Sequence, residues 1–221
     1  MVRMSILVTA CALLPVAGAR AQLSTPTDWK WRQDAPAPLA PGATMTPGSW
    51  VFVQMPPGWH ITTGPGVLLY PTANGDADGN YSIEAEIFLF PGESVEEYGV
   101  FVGGTDIDAG DPSYTAFVLR RDGRAEVLKR AGAQTTPIAG WVGDVRGPST
   151  DGKEPVKRVI RVEIGPGSAA MSVDGKEVLT VPRQQVTVGG RFGFRVGKDI
   201  NLHVSTLNVT RRLAPAPVKK D

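Results

Sequence analysis

Apolar and polar residues alternate with a period of two along much of this chain. From 81 to 90, Tyr81, Ile83, Ala85, Ile87 and Leu89 fall on one face, while Ser82, Glu84, Glu86, Phe88 and Phe90 fall on the other. From 156 to 164, Arg158, Ile160, Val162 and Ile164 share one side and Lys157, Val159, Arg161 and Glu163 the other. This is the pattern of strands, whose successive side chains point to opposite faces. Further short β runs are expected at 49–54, 59–62, 67–70, 98–102, 114–120, 125–129, 171–173, 177–181, 191–196 and 202–210, with Gly and Pro between them and no helical periodicity. Asp122-Gly123 and Asp174-Gly175 each sit between alternating apolar residues. Asp-Gly there predicts a tight hairpin of type I′, whose two central residues need positive φ. Many short strands at regular spacing give an all-β antiparallel sandwich.

The ends read differently. Arg3, the apolar run from Ile6 to Val16 and Ala19-Arg20-Ala21 form the three parts of a secretory leader, placing cleavage before Gln22. The run is too short to span a bilayer. Val8-Thr9-Ala10-Cys11 resembles a lipoprotein box, although almost no apolar stretch precedes Cys11. Cys11 is the only cysteine, so a chain cut after residue 21 has no disulfide and must rest on its core, as suits a periplasmic or secreted bacterial protein. Residues 22–48, with Pro26, Pro36, Pro38, Pro41 and Pro47, read as a Pro-rich arm. Trp29 and Trp31 either pin that arm to the sandwich or form a stacking platform. Residues 49–210 then make one domain and 211–221 a flexible tail. Lys+Arg total 23 against 22 Asp+Glu, a formal charge of +1, which argues against nucleic acid or an anionic membrane as partner.

The order of strands carries a resemblance. Glu97-Tyr-Gly-Val-Phe-Val-Gly-Gly104, Tyr114-Thr-Ala-Phe-Val-Leu-Arg120 and Asp122-Gly123 are similar to one half of a concanavalin A-like (laminin-G-like) jelly roll. Val159-Ile-Arg-Val-Glu163, Val173-Asp-Gly175, Gly193-Phe-Arg-Val-Gly197 and Asn201-Leu-His-Val204 are similar to the other half. The succession resembles exported bacterial relatives of the 3-keto-disaccharide hydrolase family. It spans about Gly48 to Thr210 and rests on turn glycines and strand faces, so it speaks to fold more than to activity.

Candidate chemistry centres on Glu84-Ala-Glu86. Alternate strand residues lie roughly 7 Å apart, a spacing that suits the acid and the nucleophile or base of glycoside hydrolysis. Family 16 glucanases carry Glu-x-Asp-x-x-Glu, and here Leu89 stands at the sixth position. Glu84 and Glu86 are equally compatible with a solvated outer face. With Tyr98, Arg120 and His203 they make up the expected ligand-binding set. Asn74, Asp76 and Asp78, followed by Gly79, match the first half of a calcium-loop spacing, but Ala85 replaces its bidentate Glu. A non-EF-hand calcium site and an ordinary turn both remain open there, as they do for Asp106, Asp108 and Asp111. His60 and His203 lack the further donors that zinc needs, and no Gly-x-Ser-x-Gly elbow exists. The reading is an exported carbohydrate-binding domain. Its rivals are a hydrolase of the 3-keto-disaccharide type, and a structural or protein-interaction domain of the cell envelope.

Overall fold

The computed structural model describes residues 26–34, 50–143, 145 and 153–212, so the leader and much of the Pro-rich arm and tail lie outside the described residues. Fifteen strands follow one another. They are β1 (Trp29–Gln33), β2 (Val51–Gln54), β3 (Trp59–Thr62), β4 (Val67–Pro71), β5 (Asp76–Ala77), β6 (Asn80–Leu89), β7 (Glu97–Thr105) and β8 (Ser113–Arg120). Then come β9 (Ala125–Ala131), β10 (Gln134–Val142), β11 (Val156–Ile164), β12 (Ser168–Val173), β13 (Lys176–Pro182), β14 (Gly190–Val196) and β15 (Asn201–Arg212). An eight-stranded sheet runs β1-β4-β14-β7-β8-β9-β10, with β5 beside β14, and a seven-stranded sheet runs β13-β12-β11-β6-β15-β3-β2. Every pairing is antiparallel. The result is the expected β-sandwich, of the concanavalin A-like jelly-roll class.

Alternation fixes which face is inside. Ile83, Ile87, Ile160, Val162, Leu202 and Val204 of the seven-stranded sheet meet Leu69, Val100, Val102, Phe117, Phe194 and Val196 of the other, all at most 1% exposed. Burying side chains of this kind stabilises by about 1.5–3 kcal/mol each. At the β1–β2 end, rings close the core. Trp29 stacks on Phe194 at 5.4 Å and meets Phe52 at 5.6 Å and Trp59 at 4.9 Å. Trp31 packs on Trp50 at 4.8 Å. The two tryptophans therefore anchor the segment, and a platform at Trp29 is ruled out by its burial.

Three boundaries differ from the sequence reading. Residues 29–33 are the edge strand of the eight-stranded sheet, paired with β4. Residues 211 and 212 complete β15, and the Arg211 guanidinium donates to the carbonyls of Asn74 (3.1 Å) and Asp76 (2.7 Å). β10 carries Pro137 and is mostly exposed; as an edge strand it tolerates the missing donor.

The two Asp-Gly hairpins also differ. Asp174 (φ 52°) and Gly175 (φ 79°) form the expected turn with two positive φ values. At the other, only Gly123 (φ 85°) is positive. Gly123 N–H donates to Arg120 C=O at 3.0 Å and Arg120 N–H to Arg124 C=O at 2.9 Å. These bonds define a three-residue loop with its bulge glycine, the next commonest hairpin connection.

A Cβ at residue 175 would meet nothing within 4 Å. Gly175→Val therefore isolates the backbone penalty of positive φ and should cost about 1–3 kcal/mol in urea unfolding, as should Gly123→Val. Wild-type midpoints for both variants would overturn the turn assignments.

Candidate functional site

The structure does not bring the expected ligand-binding residues together. Glu84, Glu86 and His203 lie on the outer face of the seven-stranded sheet, on the strand sides opposite Ile83, Ile87 and Val204. Both carboxylates are engaged there, Glu84 with Arg161 at 3.4 Å and Glu86 with Lys157 at 2.5 Å. His203 bonds Pro57 C=O through Nε2 at 2.8 Å and sits 6.4 Å from the Phe88 ring. Tyr98 points into the core at 2% exposure, and burial pushes its phenol above its ordinary range. Arg120, opposite Glu97 in the β7–β8 ladder, lies on the outer face of the other sheet. A single groove lined by all five is excluded, because one alternation step moves a side chain across the sheet.

Around the candidate calcium residues the loop makes its own hydrogen bonds. Arg211 occupies the Asn74 and Asp76 carbonyls, and Asp78 Oδ1 accepts the Gly79 N–H at 2.7 Å. Asp108 is held by Lys30 at 3.1 Å and by the Tyr70 hydroxyl. No group of three or more His, Cys, Asp or Glu side chains among the described residues is placed to hold a metal ion.

The outer face of the eight-stranded sheet gathers a different set. Leu68, Tyr70, Phe101, Tyr114, Ala116, Val118 and Leu128, none above 3% exposed, form a second apolar cluster with Ile107 and Trp141. The central strands are thus apolar on both faces, which is unusual for an antiparallel sheet. Beside this cluster Asp34, just after β1, accepts hydrogen bonds from Tyr114 Oη (2.7 Å, β8) and Arg195 Nε (2.8 Å, β14), with Arg130 Nη1 at 3.5 Å (β9). Arg195 Nη1 also donates to Glu97 on β7 at 2.5 Å. Side-chain exposure is 5% for Asp34 and Arg130, and 13% for Arg195 and Glu97. Burial opposes the Arg195 charge, yet Asp34 and Glu97 hold the guanidinium above its ordinary range. Burial and then the Asp34 carboxylate keep the Tyr114 phenol protonated, so it donates.

Three half-buried groups rise beside this foundation. Glu126 stands opposite Val118 in the β8–β9 ladder. Burial, followed by the negative charge of Glu97, raises its carboxyl above the usual range against the pull of Arg120 and Arg195. The Arg120 guanidinium lies 3.9 Å from the centre of the Trp141 ring, a cation–π contact that orients its plane. A carboxyl, a guanidinium and an indole on one rigid sheet face can bind a polyhydroxylated ring by hydrogen bonds and stacking.

Of this constellation only Arg120 belonged to the expected set. Arg195 left one trace, a charge between Phe194 and Val196 in an otherwise apolar run. Asp34 left none, since it lies among prolines and its partners are 80, 96 and 161 residues away.

Two measurements check this electrostatic account. Asp34→Ala would remove the buried acceptor shared by Tyr114 and Arg195, leaving Glu97 as the carboxylate still paired with Arg195, and should cost about 3 kcal/mol in urea unfolding; a loss below about 1 kcal/mol would overturn it. Glu126 binds its proton more tightly folded than unfolded, so its contribution turns unfavourable as pH rises through the raised value. Glu126→Gln should therefore gain stability over wild type at pH 7, the gap closing as pH falls through the ordinary value of 4.5. A gap that is constant with pH would contradict the shift.

No family model and no curated protein matches the chain. Its fold is shared with solved structures at low identity. The carbohydrate-binding module CBM66 from Bacillus subtilis superimposes with a TM-score of 0.54 at 13% identity, over 73% of this chain and 95% of that one. A Bacillus subtilis protein of unknown function with a galectin-like fold gives 0.55 at 13% identity, over 84% and 91%. The exoplasmic/lumenal domain of VIP36, in a Ca2+/Man-bound form, gives 0.50 at 10% identity, over 86% of each chain. At these identities the likeness is one of fold alone, that of an antiparallel jelly-roll β-sandwich.

Proposed function

We propose that the chain is an exported carbohydrate-binding domain and that its ligand face is the outer side of the eight-stranded sheet. The observation that carries the reading is the convergence of Glu126, Arg120 and Trp141 over the buried Asp34–Arg195–Glu97 network. The outer face of the seven-stranded sheet has its charges paired, Lys157 with Glu86 and Arg161 with Glu84 across strands and Arg161 with Glu163 along β11. Two fold neighbours, a carbohydrate-binding module and a domain solved in a Ca2+/Man-bound form, support the same class of ligand. The leader-like residues 1–21 support export to the periplasm or beyond the cell.

Hydrolysis of a 3-keto-disaccharide is a second reading, favoured by one observation. Burial and then the nearby Glu97 charge raise the Glu126 carboxyl, and a carboxyl of raised proton affinity in a partly buried site is a usual form of a general acid.

A glycan array followed by calorimetry tests the first reading. Trp141→Ala should weaken binding of the selected glycan about tenfold or more, the worth of one stacking or charge-assisted contact. Glu84→Ala, on the opposite sheet, should not. Absence of binding to any glycan, or an equal loss from both variants, would sink it. Turnover of a 3-keto-disaccharide by wild type and its abolition in Glu126→Gln would move the assignment to the hydrolase.

A further inference from the structure

The ligand face continues, through Arg120, into a cavity of about 300 Å³ between the β6–β7 loop and the β8–β9 turn. Gly92 to Val95 line one side, and Arg120, Arg121, Asp122 and Arg124 the other. Its cations are not equivalent. Arg124 is committed to Asp122, with Nε and Nη2 at 2.8 and 2.7 Å from the same carboxylate oxygen. Arg121 has a neutral anchor, its Nη2 donating to Phe90 C=O at 2.9 Å. Arg120 is fixed by the Trp141 ring. The Nε atoms of Arg120 and Arg121 are both buried and have no hydrogen-bond partner among the described residues.

An unspent buried donor is costly, and both arginines that carry one line this cavity, so a ligand acceptor that they turn to meet has something to gain. An arginine presents its Nε–H and one Nη–H as a planar fork that matches the two oxygens of a carboxylate or sulfate. Arg120 also lies across from Glu97 and near Glu126, so Arg121 is the group left to supply net positive charge. Glu93, exposed and therefore well solvated, also lines the cavity with the opposite charge. Val95, 72% exposed, gives the cavity an apolar wall suited to the CH face of a sugar ring.

We propose that this cavity is a subsite for the oxyanion substituent of an acidic saccharide, a uronate carboxylate or a sulfate ester, with Arg121 as its specificity-determining residue. The inference rests on the carbohydrate reading of the adjoining face.

The test is an array of matched pairs: uronate-containing glycans against their carboxyl-reduced counterparts, and sulfated glycans against their desulfated ones. Wild type, Arg121→Gln and Arg121→Lys are compared at low and high salt, after melting curves establish that each is folded. Wild type should prefer acidic members about tenfold or more, less so at high salt as screening weakens the charge. Arg121→Gln should remove the preference and keep affinity for the neutral members, while Arg121→Lys, which keeps charge and loses the fork, should restore it only in part. Which pairs show the preference separates carboxylate from sulfate. Equal binding of acidic and neutral members, or a preference that survives Arg121→Gln, overturns the subsite and leaves the carbohydrate reading standing. Binding to no member of any pair overturns both.

Discussion

One carboxylate organises the outer face of the eight-stranded sheet. Asp34 receives the Tyr114 hydroxyl and the Arg195 guanidinium, with Arg130 alongside, and Arg195 passes the link on to Glu97. The network therefore touches β7, β8, β9 and β14 and the residue that follows β1. Such a cluster is a poor source of net stability, because desolvating its charges cancels most of their attraction. What it supplies is geometry. Once Asp34 is in place, the guanidinium and carboxylate beside Glu126 have fixed positions, and the face proposed to bind a ligand is preorganised.

The two outer faces of the sandwich illustrate how burial separates structure from function. On the seven-stranded sheet, Glu84, Glu86, Lys157, Arg161 and Glu163 form pairs across and along strands at moderate exposure. Pairs of that kind contribute little and satisfy one another in water. On the eight-stranded sheet, charge is carried into a partly desolvated setting over an apolar layer of Leu68, Phe101, Tyr114 and Val118. Low local dielectric there strengthens each hydrogen bond and shifts the Glu126 carboxyl upward. The same setting leaves Arg120 and Arg121 with unspent Nε donors at the rim. Recognition chemistry belongs on the face where unsatisfied polarity is costly, and there a ligand has most to gain.

The sequence by itself determined the strands, the sandwich and the inner faces, because each of these follows from spacing within ten residues. Tyr81, Ile83, Ala85, Ile87 and Leu89 could be assigned to the core from their period alone, and all five lie there. Asp174-Gly175 announced its turn for the same local reason, the tolerance of both residues for positive φ. Only the tertiary structure decided the site. Alternation tells which residues share a face of one strand and leaves open which sheet that strand joins, so Glu84 and Arg120 fell on opposite sides of the molecule. Trp29 to Gln33 looked like linker because their burial depends on pairing with β4, some 40 residues away. Asp34 and Arg195 stand 161 residues apart. An ion network assembled from five separate segments has no period and no motif, and its members acquire their meaning only when the sheet order sets them side by side.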